Sequence, residues 1–194
     1  MKPTRFETAI AIIDKKNAED PNGYQVSGLE YPKELLYSQR MTRKLLQFDS
    51  NASKALQISA RAQHICRWKI GRNEFPMDRV GYLKWREELK KMHANITGEI
   101  LEQVGFDNQF VDRVQKIILK KLIKKNEESQ LLEDVICLVF LDYYFEEFAA
   151  KHSDEKIIDI LKKTWVKMSD TGHAAALKIP FSEKSLALVK QAIS

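Results

Sequence analysis

The stretch "RAQHICRWKI", residues 61 to 70, sets His64 between Arg61 and Arg67, with Trp68 alongside. An imidazole can trade a proton near neutral pH or ligate a metal, and a guanidinium pairs in a bidentate way with phosphate or carboxylate. Read as part of a continuous helix, the segment puts Gln57, Arg61, His64 and either Arg67 or Trp68 on one stripe. Ala52, Ala55, Ser59, Ala62 and Cys66 then form a small-residue face that allows close packing. The plain alternative is a solvated stripe with no function, so a second polar cluster has to support the first.

Two further groups supply it. His93, in "KWREELKKMHANITGEIL", follows Met92 beside the core seam of a long helix, with Arg86 and Lys90 on the same side. Glu133 and Asp134 open the helix "LLEDVICLVFLDYYFEEFAA", which is apolar on nearly every side. Acidic residues are at ease in a first helical turn, but a carboxylate in the most buried helix needs a partner. As a binding set, Tyr37, Arg40, Arg61, His64, Arg67 and Lys121 could hold a small anionic ligand through charge-assisted hydrogen bonds. The basic segment "KIILKKLIKKN" offers Lys116, Lys120, Lys124 and Lys125 to RNA. A solvated helix face explains that segment better, because no aromatic residue interleaves the lysines. His152 and His173 fall at helix boundaries, and Trp85, Trp165, Tyr143 and Tyr144 fit packing positions.

The elements that must position these groups all read as helical. Phe6, Ala9, Ile10 and Ile13 recur at helical spacing until "EDPNG", and Gly23 to Pro32 reads as an irregular surface connection. A second helix from Lys33 points Leu35, Met41 or Thr42, Leu45 and Phe48 inward, and "DSNAS" stops it and caps the third, which carries the opening stretch. "GRNEFPMD" interrupts. From Asp78 a long helix runs through Tyr82, Trp85, Leu89, Met92, Ile96 and Ile100 to a glycine cap at Gly105. Phe110, Val114, Ile117, Ile118 and Leu122 mark the next helix, "KKNEES" a loop, and Ile157, Leu161, Thr164, Trp165 and Met168 a later helix. Two short terminal helices follow, and no period-two strand or hairpin signal is found. The expectation is an all-α fold, a single domain over 1–194 with roughly seven to nine helices.

Composition excludes several function classes. Hydrophobic residues make up 44% and charged residues 30%, which is globular rather than disordered. The apolar run "VICLVFL" is far too short to span a bilayer. Cys66 and Cys137 sit in apolar helical patterns with no metal-type cysteine pair and no signal-type segment, which points to the cytoplasm. The net charge of +5 permits attraction to phosphates without identifying a nucleic-acid binder. No glycine-rich phosphate loop, nucleophile elbow or Cys-His arrangement occurs.

The phrases "AIAIIDKKNAEDPNG", "PKELLYSQRM", "RAQHICRW", "FPMDRVGYLKWREELKKMHA", "LEDVICLVFLDYYFEEFAAKH" and "ILKKTWVKMSDTGHAAAL" together resemble the family called domain of unknown function 4202, over nearly the whole chain. More distantly, the order of His64, His93 and Asp134 is similar to that of the HD superfamily of helical, metal-dependent phosphohydrolases. That resemblance implies an HD-like bundle in which these three side chains converge on one divalent metal, iron, manganese or zinc. Arg61, Arg67 and Glu133 would then be the catalytic groups, acting on a phosphoester of a nucleotide or small metabolite. Ala94 stands where the pattern has aspartate, and Lys120 and Lys121 where related two-metal hydrolases have a further histidine.

Overall fold

A computed structural model describes residues 2–120 and 126–193. The chain is all-α, with ten α-helices and one two-stranded sheet among the described residues, and forms two compact units, Met1–Ile123 and Lys124–Ser194.

In the first unit, α1 (Arg5–Asn17) starts at a capping box: Thr4 Oγ1 accepts from the Glu7 backbone N–H, and the Glu7 carboxylate accepts from that of Thr4. The connection expected to be irregular is in fact a hairpin, β1 (Gly23–Val26) antiparallel to β2 (Leu29–Pro32), with Tyr24 opposite Tyr31. Its turn carries two consecutive left-handed residues, Ser27 at φ +50° and Gly28 at φ +81°, the geometry whose twist suits a two-residue hairpin. The strands bury no full face, so they leave no clean alternation in the sequence.

Helix α2 (Lys33–Phe48) buries Met41 and Leu45 as its periodicity requires, but its first half turns Glu34, Ser38 and Arg40 inward. Helix α3 (Lys54–Arg61), capped by Ser53, stops at Arg61 and does not run through the opening stretch. Cys66 adopts φ +55°, which no α-helix accommodates, and its N–H is taken by Asn17 Oδ1 at 3.1 Å. His64 therefore sits in a turn, and Arg67 begins a single 3-10 turn, Arg67–Lys69. The small-residue face survives this break, since Ala52, Ala55, Ser59, Ala62 and Cys66 are all buried.

Asp78 caps α4 (Arg79–Val104) through the Gly81 N–H, and Gly105, at φ +87°, closes it. The seam is displaced from the expected one: Leu89, His93, Thr97, Ile100 and Leu101 are buried, Met92 and Ile96 half-buried, and Tyr82 exposed. Ala94 and Gly98 cause the shift by letting α5 (Asn108–Ile118) approach. Gln115 of α5 donates to the Ala94 carbonyl at 3.2 Å, and a side chain at Gly98 would meet Gln115. His93 thus lies on the seam itself.

In the second unit, α6 (Glu127–Tyr143) begins at the Asn126 cap, so "NEES" is mostly helix and Glu133 and Asp134 lie beyond its first turn. Tyr144 leaves helical geometry and splits the expected apolar helix into α6 and α7 (Phe145–Ala149). The rest comprises α8 (Asp154–Trp165), which buries Ile157, Leu161 and Thr164, then α9 (Asp170–Ala176) and α10 (Glu183–Ile193). Phe145 packs edge-on to Phe140 and Phe181. Among the described residues, no helix is long and apolar enough to cross a membrane. Both cysteines are buried and unbridged.

The start of α4 is sterically closed at Gly81, where a Cβ would fall on the Pro76 backbone carbonyl. Gly81→Ala is expected to lower stability by about 2 kcal/mol, as overpacking against rigid backbone does. Gly28→Asn, at a left-handed position with open space, is expected to change it by only a few tenths. Urea unfolding of the two variants measures both.

Candidate functional site

Arg61 and Arg67 serve different partners once α3 ends between them. The Arg61 guanidinium makes a bidentate pair with Asp14 of α1, Nε to Oδ1 and Nη2 to Oδ2 both at 2.6 Å, and Nη1 also reaches Thr42 Oγ1 of α2. This fork satisfies the charge internally and ties α1, α2 and α3 together. Asp14 carries no signal of this role in the sequence, where it reads as one of several charged residues near the end of α1.

The chemistry gathers instead around Glu34, which sequence periodicity alone does not single out. At the second position of α2 its N–H donates to Asp20 Oδ2 at 2.9 Å, which fixes the helix start. Its carboxylate faces the 61–70 turn: Oε2 lies 3.2 Å from His64 Nδ1, and Oε1 3.9 Å from Arg67 Nε. Tyr37, one turn along α2, stacks on the His64 ring at 4.1 Å. Arg67 lies over the Trp85 ring at 4.7 Å, and Trp85 Nε1 donates to the Ile70 carbonyl at 3.0 Å, so α4 pins the far side of the turn. His93, 2% exposed, brings its ring to 5.9 Å from that of His64. A hydrogen bond to the Gln63 backbone holds the ring, while Nε2 is buried with no partner in the protein.

The electrostatics of this cluster follow from burial. Desolvation raises the Glu34 carboxyl to about 7, opposed by the charges of Arg67 and then Lys33. Desolvation likewise pushes His64 well below the ordinary imidazole range, helped by Arg67, Arg86, Lys120 and Lys33. For His93, burial comes first, then His64 and Arg67. At neutral pH both imidazoles are uncharged, and Glu34 exchanges its proton there.

The expected residues are thus partly assembled. His64, His93, Tyr37 and Arg67 share one cluster in the first unit, and Arg61 serves the Asp14 pair. Arg40, buried in α2, lies over the Tyr24 ring at 5.2 Å. Lys121, with Lys124 and Lys125, lies outside the described residues. In the second unit, Glu133 is buried and Asp134 has its partners at hand. Asp134 Oδ1 accepts from the Ser169 N–H at 2.7 Å and Gln130 Nε2 at 3.2 Å, and Oδ2 from Ser169 Oγ at 2.6 Å. Ser169 in turn caps α9, so Asp134 braces that cap. Gly172 of α9 packs against the carboxylate, leaving no room for a Cβ. Among the described residues, no group of three or more His, Cys, Asp or Glu side chains is arranged to hold a metal ion. His173 is held by stacking on Trp165 at 4.1 Å and a 2.8 Å bond to the Trp165 carbonyl.

Two tests separate these roles. Arg61→Ala should cost about 2 kcal/mol by removing the partner of the half-buried Asp14, and pairing it with Asp14→Ala should cost less than the sum of the two single changes, in a denaturation double-mutant cycle. The second test is pH. The lowered imidazoles contribute stability that is full above about 6.5 and is lost as pH falls. The raised Glu34 works oppositely: its contribution is full below 4.5 and is lost as pH rises through about 7, with a ceiling of about 3 kcal/mol. Acidification from pH 7 to 5 should therefore destabilise Glu34→Gln more steeply than the wild type, which thermal melts across that range would measure.

No curated protein and no solved structure matches this chain. The model of one family, described as Domain of unknown function (DUF4202), matches residues 7–189. Since that match takes in most of α1, the Glu34–His64–Arg67 cluster, α4 and the helices of the second unit through most of α10, the chain belongs to the DUF4202 family.

Proposed function

We propose that the first unit binds a small phosphate-bearing anion beside His64 and Arg67. The observation that carries this reading is the loose pairing of Arg67, whose Nε lies 3.9 Å from Glu34 Oε1, beside the His64 ring, with Arg86, Lys120 and Lys33 adding positive charge around that imidazole. Glu34 answers them only in part, since its proton is half-retained near pH 7. Arg61 contributes nothing to this excess, because Asp14 matches it. Side chains of His64 and Arg67 keep about a quarter of their surface exposed, 24% and 26%, so a ligand can reach both. A phosphate supplies the missing negative charge and planar acceptor pairs for a guanidinium. The buried Nε2 of His93 adds a polar atom in want of a partner next to that imidazole.

Metal-assisted phosphoester hydrolysis, which the HD resemblance implies, asks for His64, His93 and Asp134 as a donor set. Asp134, in the second unit, is engaged with Ser169 and Gln130, and among the described residues no group of three or more His, Cys, Asp or Glu side chains is arranged to hold a metal ion. The binding reading needs no metal and uses His64 as a neutral hydrogen-bonding group.

A thermal-shift series with inorganic phosphate, sugar phosphates and nucleoside monophosphates, run with and without manganese, tests it. A ligand at a hundred times its dissociation constant stabilises the fold by about 2.7 kcal/mol. The shift is expected without manganese, is expected to vanish in Arg67→Ala, and should persist in Arg61→Ala above a lower baseline. A series in which no anion shifts the wild type, or in which Arg67→Ala keeps the shift, overturns the reading. A shift that requires manganese and is accompanied by release of inorganic phosphate replaces it with the hydrolase.

A further inference from the structure

The start of α4 and the segment before it expose a run of large apolar side chains: Met77 is 80% exposed, Val80 59%, Leu83 56% and Tyr82 42%. This patch is not isolated. Tyr82 lies 5.9 Å from Trp85, ring to ring, and Trp85 carries Arg67 on its face. Arg72 and Arg86 stand over the Tyr82 ring at 6.0 and 5.9 Å. Arg67 thus belongs to two surfaces at once, the polar one with Glu34 and His64 and the aromatic one with Trp85 and Tyr82.

Resting on the anion-binding reading above, we infer that the ligand is a nucleotide, its phosphate beside His64 and Arg67 and its base laid against the exposed Tyr82 side of α4. A purely apolar partner would cover the patch but answer none of the charge of Arg67, which Glu34 meets only at 3.9 Å through one oxygen. A sugar phosphate would satisfy the cations and leave the aromatic patch bare. A nucleotide meets both, because a base stacks on an aromatic face or an arginine plane and its phosphate takes the guanidinium. The recognition is by stacking, so it tolerates different bases, and purines, with the larger face, bind best.

The test compares nucleoside 5′-monophosphates, ribose 5-phosphate and inorganic phosphate by isothermal titration calorimetry on the full chain. The nucleotides are expected to bind at least tenfold more tightly than ribose 5-phosphate, about 1.4 kcal/mol. Tyr82→Ala should erase that advantage while leaving ribose 5-phosphate binding unchanged, and Tyr82→Phe should keep it. Tyr82 is exposed, so neither variant disturbs a packed core. Ribose 5-phosphate binding as tightly as the nucleotides, or an advantage that survives in Tyr82→Ala, overturns the nucleotide assignment and leaves the anion site standing. Failure of every phosphorylated compound to bind overturns both.

Discussion

The hydrogen bond from the Cys66 N–H to the Asn17 side chain fixes the point on which the first unit turns. A left-handed residue inside a buried chain segment would leave its N–H without the helical partner, and Asn17, itself fully buried at the end of α1, supplies a replacement. With Cys66 held there, the chain leaves helical geometry after Arg61, and what would have been one cationic stripe becomes two stations. Arg61 faces back to Asp14 of α1, and His64 and Arg67 face Glu34 of α2. Each station joins elements far apart in sequence, so the ion pairs and the path of the backbone specify one another.

This break is also the boundary of what the sequence made legible. The small-residue face of "NASKALQISARAQHIC" is read correctly, because burial depends on side-chain size and spacing, and a turn of similar compactness keeps Ala62 and Cys66 inside. The stripe is not, because a non-glycine residue at positive φ leaves no local signature. Its cause, Asn17, sits on another helix. The seam of α4 lies one position from the one its periodicity predicts for a related reason: Met92 and Ile96 are the larger apolar residues, but Gln115 of α5 packs onto Ala94 and Gly98. The hairpin leaves little trace in the sequence because its strands are half-exposed and its turn signal is only Ser27-Gly28.

Within the site, the residues whose chemistry is unusual for their type were visible and their partners were not. His64, His93, Arg67 and Tyr37 stand out as polar groups in apolar or small-residue patterns, and they meet. Glu34 and Asp14 look like ordinary surface acids on helix ends, and only tertiary structure turns one into a buried carboxyl near neutrality and the other into a guanidinium clamp. The reverse holds for Asp134: the need for a partner was readable from its helix, and Ser169, which meets the need, was not.

The half-buried Asp14 and the buried Glu34, each beside a cation, show why proximity alone does not make a functional site. Asp14 and Arg61 meet in a fork with both oxygens engaged, so the pair is closed and any ligand would have to break it. Glu34 meets Arg67 at 3.9 Å through one oxygen and an uncharged imidazole through the other, which is too little compensation to hold it ionised, and burial wins. An acid that keeps its proton leaves its cations under-matched, and these cations lie where solvent still reaches them. A closed pair stabilises the fold and is silent, whereas a carboxyl poised near neutral pH among excess positive charge can accept an anion by taking up one proton. That difference, set by how many oxygens each carboxylate gives to a guanidinium, separates the structural role of Arg61 from that of Arg67 at the proposed anion site.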